Sequence, residues 1–209
     1  MWEKYYSTLK RLPRRLRQPV QFIVEALPTF KLYKMKNMLD FGCGVGRNSI
    51  YLAKENFEVV GVDISLAALK IANKWSKKER LKNIAFVQAT MTNLPLSDSS
   101  LDAVISVSVI HHAVKKDITK TINEVYRVLR KNGLFLANLT SVKDSRYGTG
   151  QKIESNTFLI REAFEQKRFK EIHHFSTRRE ISKMFKHFSQ IKAELLMDKP
   201  HYWKITTTK

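Results

Sequence analysis

Three glycines, Gly42, Gly44 and Gly46, lie within five residues, between a short apolar segment and a helix-like one. The chain has only seven glycines, so composition does not explain this clustering. The apolar segment Met38–Phe41 is typical of a buried strand, and Asn48–Lys54 is typical of a helix. Glycine lets the backbone turn tightly and lets a ligand approach it closely. The pattern therefore predicts a strand–loop–helix unit with a ligand site at the helix N-terminus.

The same alternation continues along the chain and predicts a mostly parallel sheet. Four more strands are predicted up to Thr140, with two amphipathic helices among them. A further helix and a strand pair then close the sheet. The predicted segments are the strands Phe57–Val62, Ile84–Gln88, Leu101–Val107 and Leu134–Leu139, the helices Ser65–Lys78 and Asp117–Arg130, the later helix Thr177–Phe185, and the strand pair Ile191–Leu196 and His201–Thr206.

Two regions flank or interrupt this pattern. Residues 1–37 are predicted to form a helical extension whose second helix ends at Pro28. Residues 141–175 are polar and charged, and they form an insertion before the last helix that is expected to cover the site. Nothing resembles an interdomain linker, so we expect residues 1–209 to form a single domain.

Several classes of protein are excluded by what the sequence lacks. No apolar run reaches the roughly 18 residues that a membrane span requires. The basic N-terminus is not followed by an apolar stretch, so we do not expect it to be a signal peptide, and we expect a cytoplasmic location. A single cysteine, Cys43, excludes an internal disulfide framework and a cysteine-rich zinc site.

Two aspartates define the ligand that the glycine loop would accept. Asp63 ends the second strand, 17 residues after Gly46, where an acidic side chain can bind both hydroxyls of a ribose. A dinucleotide fingerprint would need a third glycine at the position of Arg47. Asp40 would repel a pyrophosphate but suits a cation. A ligand with a ribose and a positive group is indicated, and S-adenosylmethionine has both.

Five segments together resemble the class I S-adenosylmethionine-dependent methyltransferases of the small prokaryotic type. The resemblance covers Met38 to about Thr140. It implies a Rossmann-like, mostly parallel seven-stranded sheet with helices on both faces and an antiparallel last strand. The segments that carry it are Asp40–Gly46, Val59–Asp63, Asn93–Asp102, Ser106–His112 and Glu124–Leu129.

The resemblance also implies which residues bind the cofactor. Asp40 and the glycine loop would surround the methionine part, Asp63 would hold the ribose, and Ile64 would lie against the adenine. The family usually has an acidic residue at the position of Thr90, whose hydroxyl can still accept a hydrogen bond from the adenine. The implied cofactor-binding residues are Asp40, Gly42, Cys43, Gly44, Gly46, Asp63, Ile64, Thr90, Met91 and Ser106.

The acceptor side is less clearly defined. Transfer of a methyl group from a sulfonium is an in-line displacement that yields S-adenosylhomocysteine, and it depends mainly on alignment and exclusion of water. His111 is our candidate general base. Tyr5, Tyr6 and His112 are candidates for binding the acceptor. His173 and His174, in the insertion, could also line the site, but we expect them to be exposed loop residues. No grouping of ligand residues has the spacing of a metal site, so no metal is predicted.

The charge bears on the choice of acceptor. The net charge is +19, and residues 1–37, 38–140 and 141–209 carry +7, +5 and +7. Most of it therefore lies outside the cofactor-binding segment. We expect a small-molecule acceptor, with RNA, most plausibly tRNA, as the alternative and a non-catalytic S-adenosylmethionine-binding protein as a third hypothesis. Methylation of adenine or glutamine is disfavoured, because no Asn/Asp-Pro-Pro-aromatic tetrad follows Leu101–Val107.

Overall fold

A computed structural model of the chain describes residues 1–9, 11–164, 167–197 and 200–209. The strands are β1 (Asn37–Phe41), β2 (Glu58–Asp63), β3 (Ile84–Gln88), β4 (Leu101–Ser106), β5 (Leu129–Thr140), β6 (Gln151–Glu154), β7 (Thr157–Phe164), β8 (Lys167–His174), β9 (Ser189–Leu196) and β10 (Tyr202–Thr208). The helices are α1 (Trp2–Ser7), α2 (Gln21–Leu32), α3 (Arg47–Lys54), α4 (Leu66–Lys78), α5 (Lys115–Val128) and α6 (Arg178–Met184), with a 3-10 turn at Arg14–Leu16.

The main sheet has the strand order β3-β2-β1-β4-β5-β10-β9. Strands β3, β2, β1, β4 and β5 pair in parallel, whereas β10 pairs antiparallel with both β5 and β9. The predicted Rossmann-like sheet of seven strands with one antiparallel strand is confirmed. The order reverses beside β1, and ligands of open parallel sheets bind at the carboxyl ends of the strands at such a point.

Helices cover both faces of this sheet, because the side chains of each strand alternate between two cores. Met38 on β1 packs with residues of α2 and α3 on one face. Its neighbour Leu39 packs with residues of α5 and α6 on the other. Both cores consist mainly of fully buried aliphatic and aromatic side chains, whose removal from water is the main stabilising contribution to the domain.

Two predicted helix ends are wrong. Helix α2 continues through Pro28 to Leu32, because proline removes only one backbone donor and Phe30, beyond it, is fully buried. Helix α5 ends at Val128 rather than Arg130, since Leu129 already pairs with Leu101 in the sheet. Arg130 is held in this extended segment by an ion pair of 2.6 Å to Asp102.

The insertion forms its own three-stranded antiparallel sheet in the order β6-β7-β8. It joins the main sheet at Ser176, whose N–H donates to the Thr140 carbonyl at 2.7 Å. His173 and His174 lie at the end of β8 with exposed fractions of 2% and 0%. The expectation that they are exposed loop residues is therefore wrong, because β8 lies with its end against the loop that follows β4. The His174 N–H donates to the His111 carbonyl at 2.8 Å.

Helix α1 is attached to the start of α4. The Glu3 carboxylate accepts hydrogen bonds from the Ser65 hydroxyl at 2.8 Å and from the Ala67 N–H at 3.0 Å. A carboxylate is favourable there because the N-terminus of a helix has unpaired N–H groups and a positive dipole end. This contact brings α1 to the carboxyl ends of β1 and β2. Among the described residues, no helix has the length and apolarity to cross a lipid bilayer.

Candidate functional site

A cavity of about 340 Å³ lies at the carboxyl ends of β1, β2 and β4. Its volume lies within the range of about 300–1,000 Å³ that is typical of small-molecule sites. The loops that follow these strands form its walls, and helix α1 contributes Trp2 and Tyr6. The predicted site residues that border it are Gly42, Cys43, Gly44, Asp63, Ile64, Thr90, Met91, Tyr6 and His112.

The glycine loop has the backbone conformation that glycine favours. Gly42 and Gly44 have φ angles of +72° and +54°, in the left-handed region. Side chains also approach both residues closely. A Cβ atom on Gly42 would stand 2.2 Å from a methyl carbon of Val109, and one on Gly44 would stand 2.9 Å from the Tyr6 hydroxyl. Gly46 is the N-cap of α3 and lies against Ala72 and Phe86, away from the cavity.

Asp63 connects the loop to the end of β2. One carboxylate oxygen accepts from the Gly44 N–H at 2.8 Å, and the other accepts from the Ser65 N–H at 2.8 Å. Burial raises the pKa of this carboxyl, and the backbone donors oppose that shift. A carboxylate has about four acceptor positions, so two neutral donors leave it able to bind hydroxyl groups of a ligand in the cavity.

Three further predicted residues line the cavity beyond Asp63. Ile64 is 59% exposed, which is unusual for a large aliphatic side chain and leaves an apolar surface at the cavity wall. Thr90 and Met91 follow β3 and line the same cavity. Together they combine a hydroxyl group with apolar surface, which suits a flat heterocycle with polar edges.

Asp40 and Ser106 do not border the cavity. Asp40 is 1% exposed and lies beneath the loop, where it accepts a hydrogen bond from the Ser49 hydroxyl at 2.5 Å. Burial raises the pKa of Asp40 to about 6, although Ser49 and the charge of Arg47 oppose the shift. Ser106 ends β4 and is also buried, and Val107, Ser108 and Val109 reach the cavity in its place.

We expect Asp40→Asn to raise the free energy of unfolding of the ligand-free protein at pH 7.5 by about 1–3 kcal/mol. Because the pKa is higher in the folded state than in the unfolded state, stability is greatest below the unfolded value and is lost as the pH rises through about 6. The difference between variant and wild type should therefore vanish near pH 3.5. Urea denaturation across this pH range tests it, and a difference that does not change with pH would contradict it.

Helix α1 brings aromatic side chains to the cavity. Trp2 and Tyr6 border it, and their rings stack with centroids 6.0 Å apart. The predicted acceptor residue Tyr5 instead points inward and is 3% exposed. Trp2 also meets His112 and Phe169 edge to face, with centroids 5.7 and 5.9 Å away. Trp2 of the N-terminal region therefore contacts both the loop after β4 and the insertion.

The loop after β4 brings two histidines to this wall, with different exposure. His112 borders the cavity, whereas His111, our candidate base, lies behind it and is 1% exposed. His173 of β8 completes a cluster in which the ring centroids of His111 and His112 are 4.3 Å apart and those of His112 and His173 are 4.4 Å apart. Spacing along the sequence could not place His173 beside His112, because their contact depends on the fold of the insertion.

Two glutamates contact this cluster. Glu171 lies 3.2 Å from His112 Nδ1 and 3.5 Å from His173 Nε2, and Glu162 lies 3.3 Å from His173 Nε2. Burial, followed by the charge of Arg146, lowers the pKa of His112 to about 3. Burial likewise raises the pKa of Glu171 to about 8. At neutral pH the contact of His112 with Glu171 therefore joins two uncharged groups rather than an ion pair.

Several cavity residues were missed by the sequence predictions. Arg47 and Asn48 begin α3, and Ser108 and Val109 follow β4 directly. Their positions just after the two strands were the available signal, since parallel strands share one binding edge. Ser108 has a φ angle of +57°, and its N–H donates to the Asn138 side chain at 2.6 Å. Glu162 and Glu171 gave no such signal, because they lie in the insertion.

Comparison with known proteins agrees with this architecture. A family profile described as a methyltransferase domain matches residues 39–137. The putative methyltransferase YqeM of Bacillus subtilis is 35% identical over 106 residues, which are 50% of this chain and 42% of YqeM. Norajmaline N-methyltransferase of Rauvolfia serpentina is 34% identical over 115 residues, which are 52% of this chain and 39% of that enzyme.

A solved structure extends the likeness beyond the matched segment. It is that of an S-adenosylmethionine-dependent methyltransferase of Methanosarcina mazei, with a TM-score of 0.73 and 22% identity, covering 87% of this chain and 97% of that one. At this identity it shows the fold alone. The chain matches about two fifths of the length of the two curated relatives. Residues 39–137 therefore match a methyltransferase domain, and the chain shares the fold of a solved S-adenosylmethionine-dependent methyltransferase.

Proposed function

We propose that this protein transfers a methyl group from S-adenosylmethionine to a small-molecule acceptor. One observation carries the proposal. A single small cavity is bordered both by the glycine loop with Asp63 and by His112 with the aromatic residues of α1. A cofactor and an acceptor can therefore meet in one cavity, as methyl transfer requires.

The cofactor-binding part of the proposal rests on the loop and the residues next to it. The backbone of Gly42 to Gly44 would lie against the methionine part, and Asp63 would accept from the ribose hydroxyls. Ile64 would pack on the adenine, and Thr90 and Met91 would contact its edge. When bound, S-adenosylmethionine supplies an electrophilic methyl group carried on a sulfonium. The chain's own task is to align this group with the acceptor and to exclude water.

In this proposal Asp40 supports the glycine loop from beneath, whereas the family resemblance implied that it lies against the methionine part of the cofactor. It does not border the cavity, so a direct contact with the cofactor ammonium stays a prediction. Its carboxylate fixes Ser49 in the first turn of α3, directly behind the loop. A negative charge beneath the loop also favours a cationic ligand above it, and it opposes an anionic one.

The N-terminal extension and the insertion would cover the acceptor. Trp2 and Tyr6 lie over the loop, and Phe169 of the insertion packs on Trp2. These aromatic side chains, with His112, would shield the reacting atoms from water and hold a flat or apolar acceptor. The matched segment is similar to norajmaline N-methyltransferase, which supports a small-molecule acceptor. His112 replaces His111 as the imidazole that would face the acceptor.

The charge of the lining also supports a small acceptor over RNA. Among the described residues that border the cavity, only Arg47 is a lysine or arginine. A nucleic-acid site would need several such side chains along a groove to neutralise phosphates. The densely basic segment Arg11–Arg17 lies outside this lining apart from Leu16.

We expect the purified protein to bind S-adenosylhomocysteine with one site per chain and to transfer a labelled methyl group to a component of a metabolite extract. The reason is that cavity size and lining favour a small acceptor. The transfer is measured in parallel against the extract and against total RNA. Label in RNA but not in the extract would replace the small-molecule proposal by an RNA one. Binding without any transfer would favour a non-catalytic binding protein, and no binding would remove the proposed function.

A further inference from the structure

Three histidines from two distant parts of the chain converge at the cavity wall. His111 and His112 lie in the loop after β4, and His173 lies near the end of β8. One ligand atom from each lies within 4.8 Å of the other two. His111 and His173 are 1% and 2% exposed. The side chain of His112, which borders the cavity, is 12% exposed.

The ring nitrogens of this cluster are poorly satisfied. Within the described part of the chain, neither nitrogen of His111 nor of His173 forms a hydrogen bond of good geometry. A buried polar atom without a partner destabilises the fold. Two neighbouring imidazoles in this state are unusual in a native fold, and such groups commonly mark a function or a bound ion.

We propose that His111, His112 and His173 bind a divalent first-row transition-metal ion at the wall of the cavity. Imidazole nitrogen is a preferred ligand of zinc, cobalt, nickel and ferrous ions. Three protein ligands leave a fourth position open, as in metal sites that bind water or a substrate.

The separation of the rings is compatible with such a site after a small adjustment. With metal–nitrogen bonds of about 2.0–2.1 Å, nitrogens around a tetrahedral ion stand about 3.3–3.5 Å apart. The present limit of 4.8 Å is wider, so the rings would turn inward by roughly an ångström. Side chains without good hydrogen bonds lose little in that rotation.

The surroundings of the cluster would support a cation. Glu171 faces both His112 and His173, and Glu162 faces His173, so carboxyl groups are placed to accept hydrogen bonds from metal-bound imidazoles. Arg146 is a nearby opposing charge. Its guanidinium is paired with Asp144 at 2.6 Å and with Glu162 at 2.7 Å, which offsets its repulsion of a cation.

The position of the cluster suggests what the ion would do. Because His112 borders the cavity, an ion held by the cluster would lie next to that space. An oxygen or nitrogen atom of the acceptor could bind there and have its pKa lowered by the ion. This role rests on the proposed function, whereas metal binding itself rests only on the three histidines.

Cobalt(II) is the probe for this site. The untagged full chain, treated with a chelator and then freed of it, is titrated with Co²⁺ while its visible absorption is recorded. We expect d–d bands that saturate at one equivalent of Co²⁺ and intensities typical of four or five ligands. Absence of a one-to-one complex at micromolar protein would overturn the proposal.

Variants then assign the ligands. We expect His173→Ala and His112→Gln each to weaken Co²⁺ binding at least 100-fold. Two controls should leave it unchanged. His174→Gln alters the next residue on β8, whose ring bonds the Thr157 hydroxyl at 2.9 Å, and His187→Ala removes an exposed histidine. If His173→Ala fails to fold, the His112→Gln variant and the wild-type spectrum still test the assignment of the ligands. Unchanged bands in a folded cluster variant would overturn the assignment.

Binding of S-adenosylhomocysteine is measured on the same samples by calorimetry. A cobalt site without cofactor binding would support the metal proposal and refute the proposed function. Cofactor binding without a cobalt site would support the proposed function and refute the metal proposal. The failure of one proposal is therefore distinguishable from the failure of the other.

Discussion

Replacing Asp63 by alanine is expected to lower the affinity for S-adenosylhomocysteine at least about 100-fold. A hydrogen bond to a charged group contributes about 1.5–3 kcal/mol, and two ribose hydroxyls would be lost together. The substitution also removes the acceptor of the Gly44 N–H and the Ser65 N–H, so the loop would lose its attachment to β2. Isothermal titration calorimetry measures the loss.

Asp63→Asn separates the contact with the ligand from the support of the loop. Asparagine keeps the size of the side chain and one acceptor oxygen, so one of the two backbone hydrogen bonds and part of the thermal stability should remain, while affinity still falls by about tenfold or more. Asp98→Asn is the matched control, because Asp98 is a 75% exposed carboxylate that pairs with Arg127 away from the cavity lining. Full affinity in a folded Asp63→Asn protein would rule out the ribose contact.

The features that sequence predicted well are those encoded in short segments. Gly42 and Gly44 require only a strand, a turn and a helix in succession, and they adopt the left-handed backbone expected of glycine. The ends of β1, β2 and β4 follow from apolar segments bounded by polar residues, and parallel pairing then places them at one edge. The antiparallel direction of the last strand came from the family resemblance rather than from the pattern.

Errors arose where tertiary contacts decide local structure. Asn132 and Gly133 signal a helix end just after Arg130, but the pairing of Leu129 with Leu101 across the sheet ends the helix at Val128. Pro28 is a local helix breaker, yet packing of Phe30 keeps α2 intact beyond it. In both cases tertiary contacts overrode the local preference for where the helix ends.

The acceptor side was the least predictable part of the site for the same reason. His173 and Glu171 lie in a segment whose polar composition suggested exposure. Pairing of β8 with β7, in which Phe158 lies opposite His173, gives the segment a buried face. Proximity of His173 to His112 therefore depends on a contact between residues 61 positions apart. No short-range pattern encodes such a contact.

Gly42→Ala is expected to destabilise the fold by about 2–5 kcal/mol and to abolish measurable cofactor binding. The new Cβ would stand 2.2 Å from a Val109 methyl carbon, and alanine would also be strained at a φ of +72°. Gly148→Ala is the matched control, because Gly148 has a φ of +78° and nothing within 4 Å of a Cβ. Gly148→Ala should lower the free energy of unfolding only by the strain of the left-handed backbone, about 1–2 kcal/mol.

The difference between these two variants isolates the close approach of Val109 to the loop. Adding Val109→Ala to Gly42→Ala should recover part of the lost stability, since the nearest remaining carbon would then be the Cβ at 2.8 Å. Urea denaturation gives the stabilities, and calorimetry with S-adenosylhomocysteine gives the affinities. Equal losses in Gly42→Ala and Gly148→Ala would assign the requirement for glycine to backbone conformation alone. A larger loss at Gly42, with cofactor affinity affected there alone, would show that packing of Val109 against the loop shapes the cavity, because Val109 also borders it.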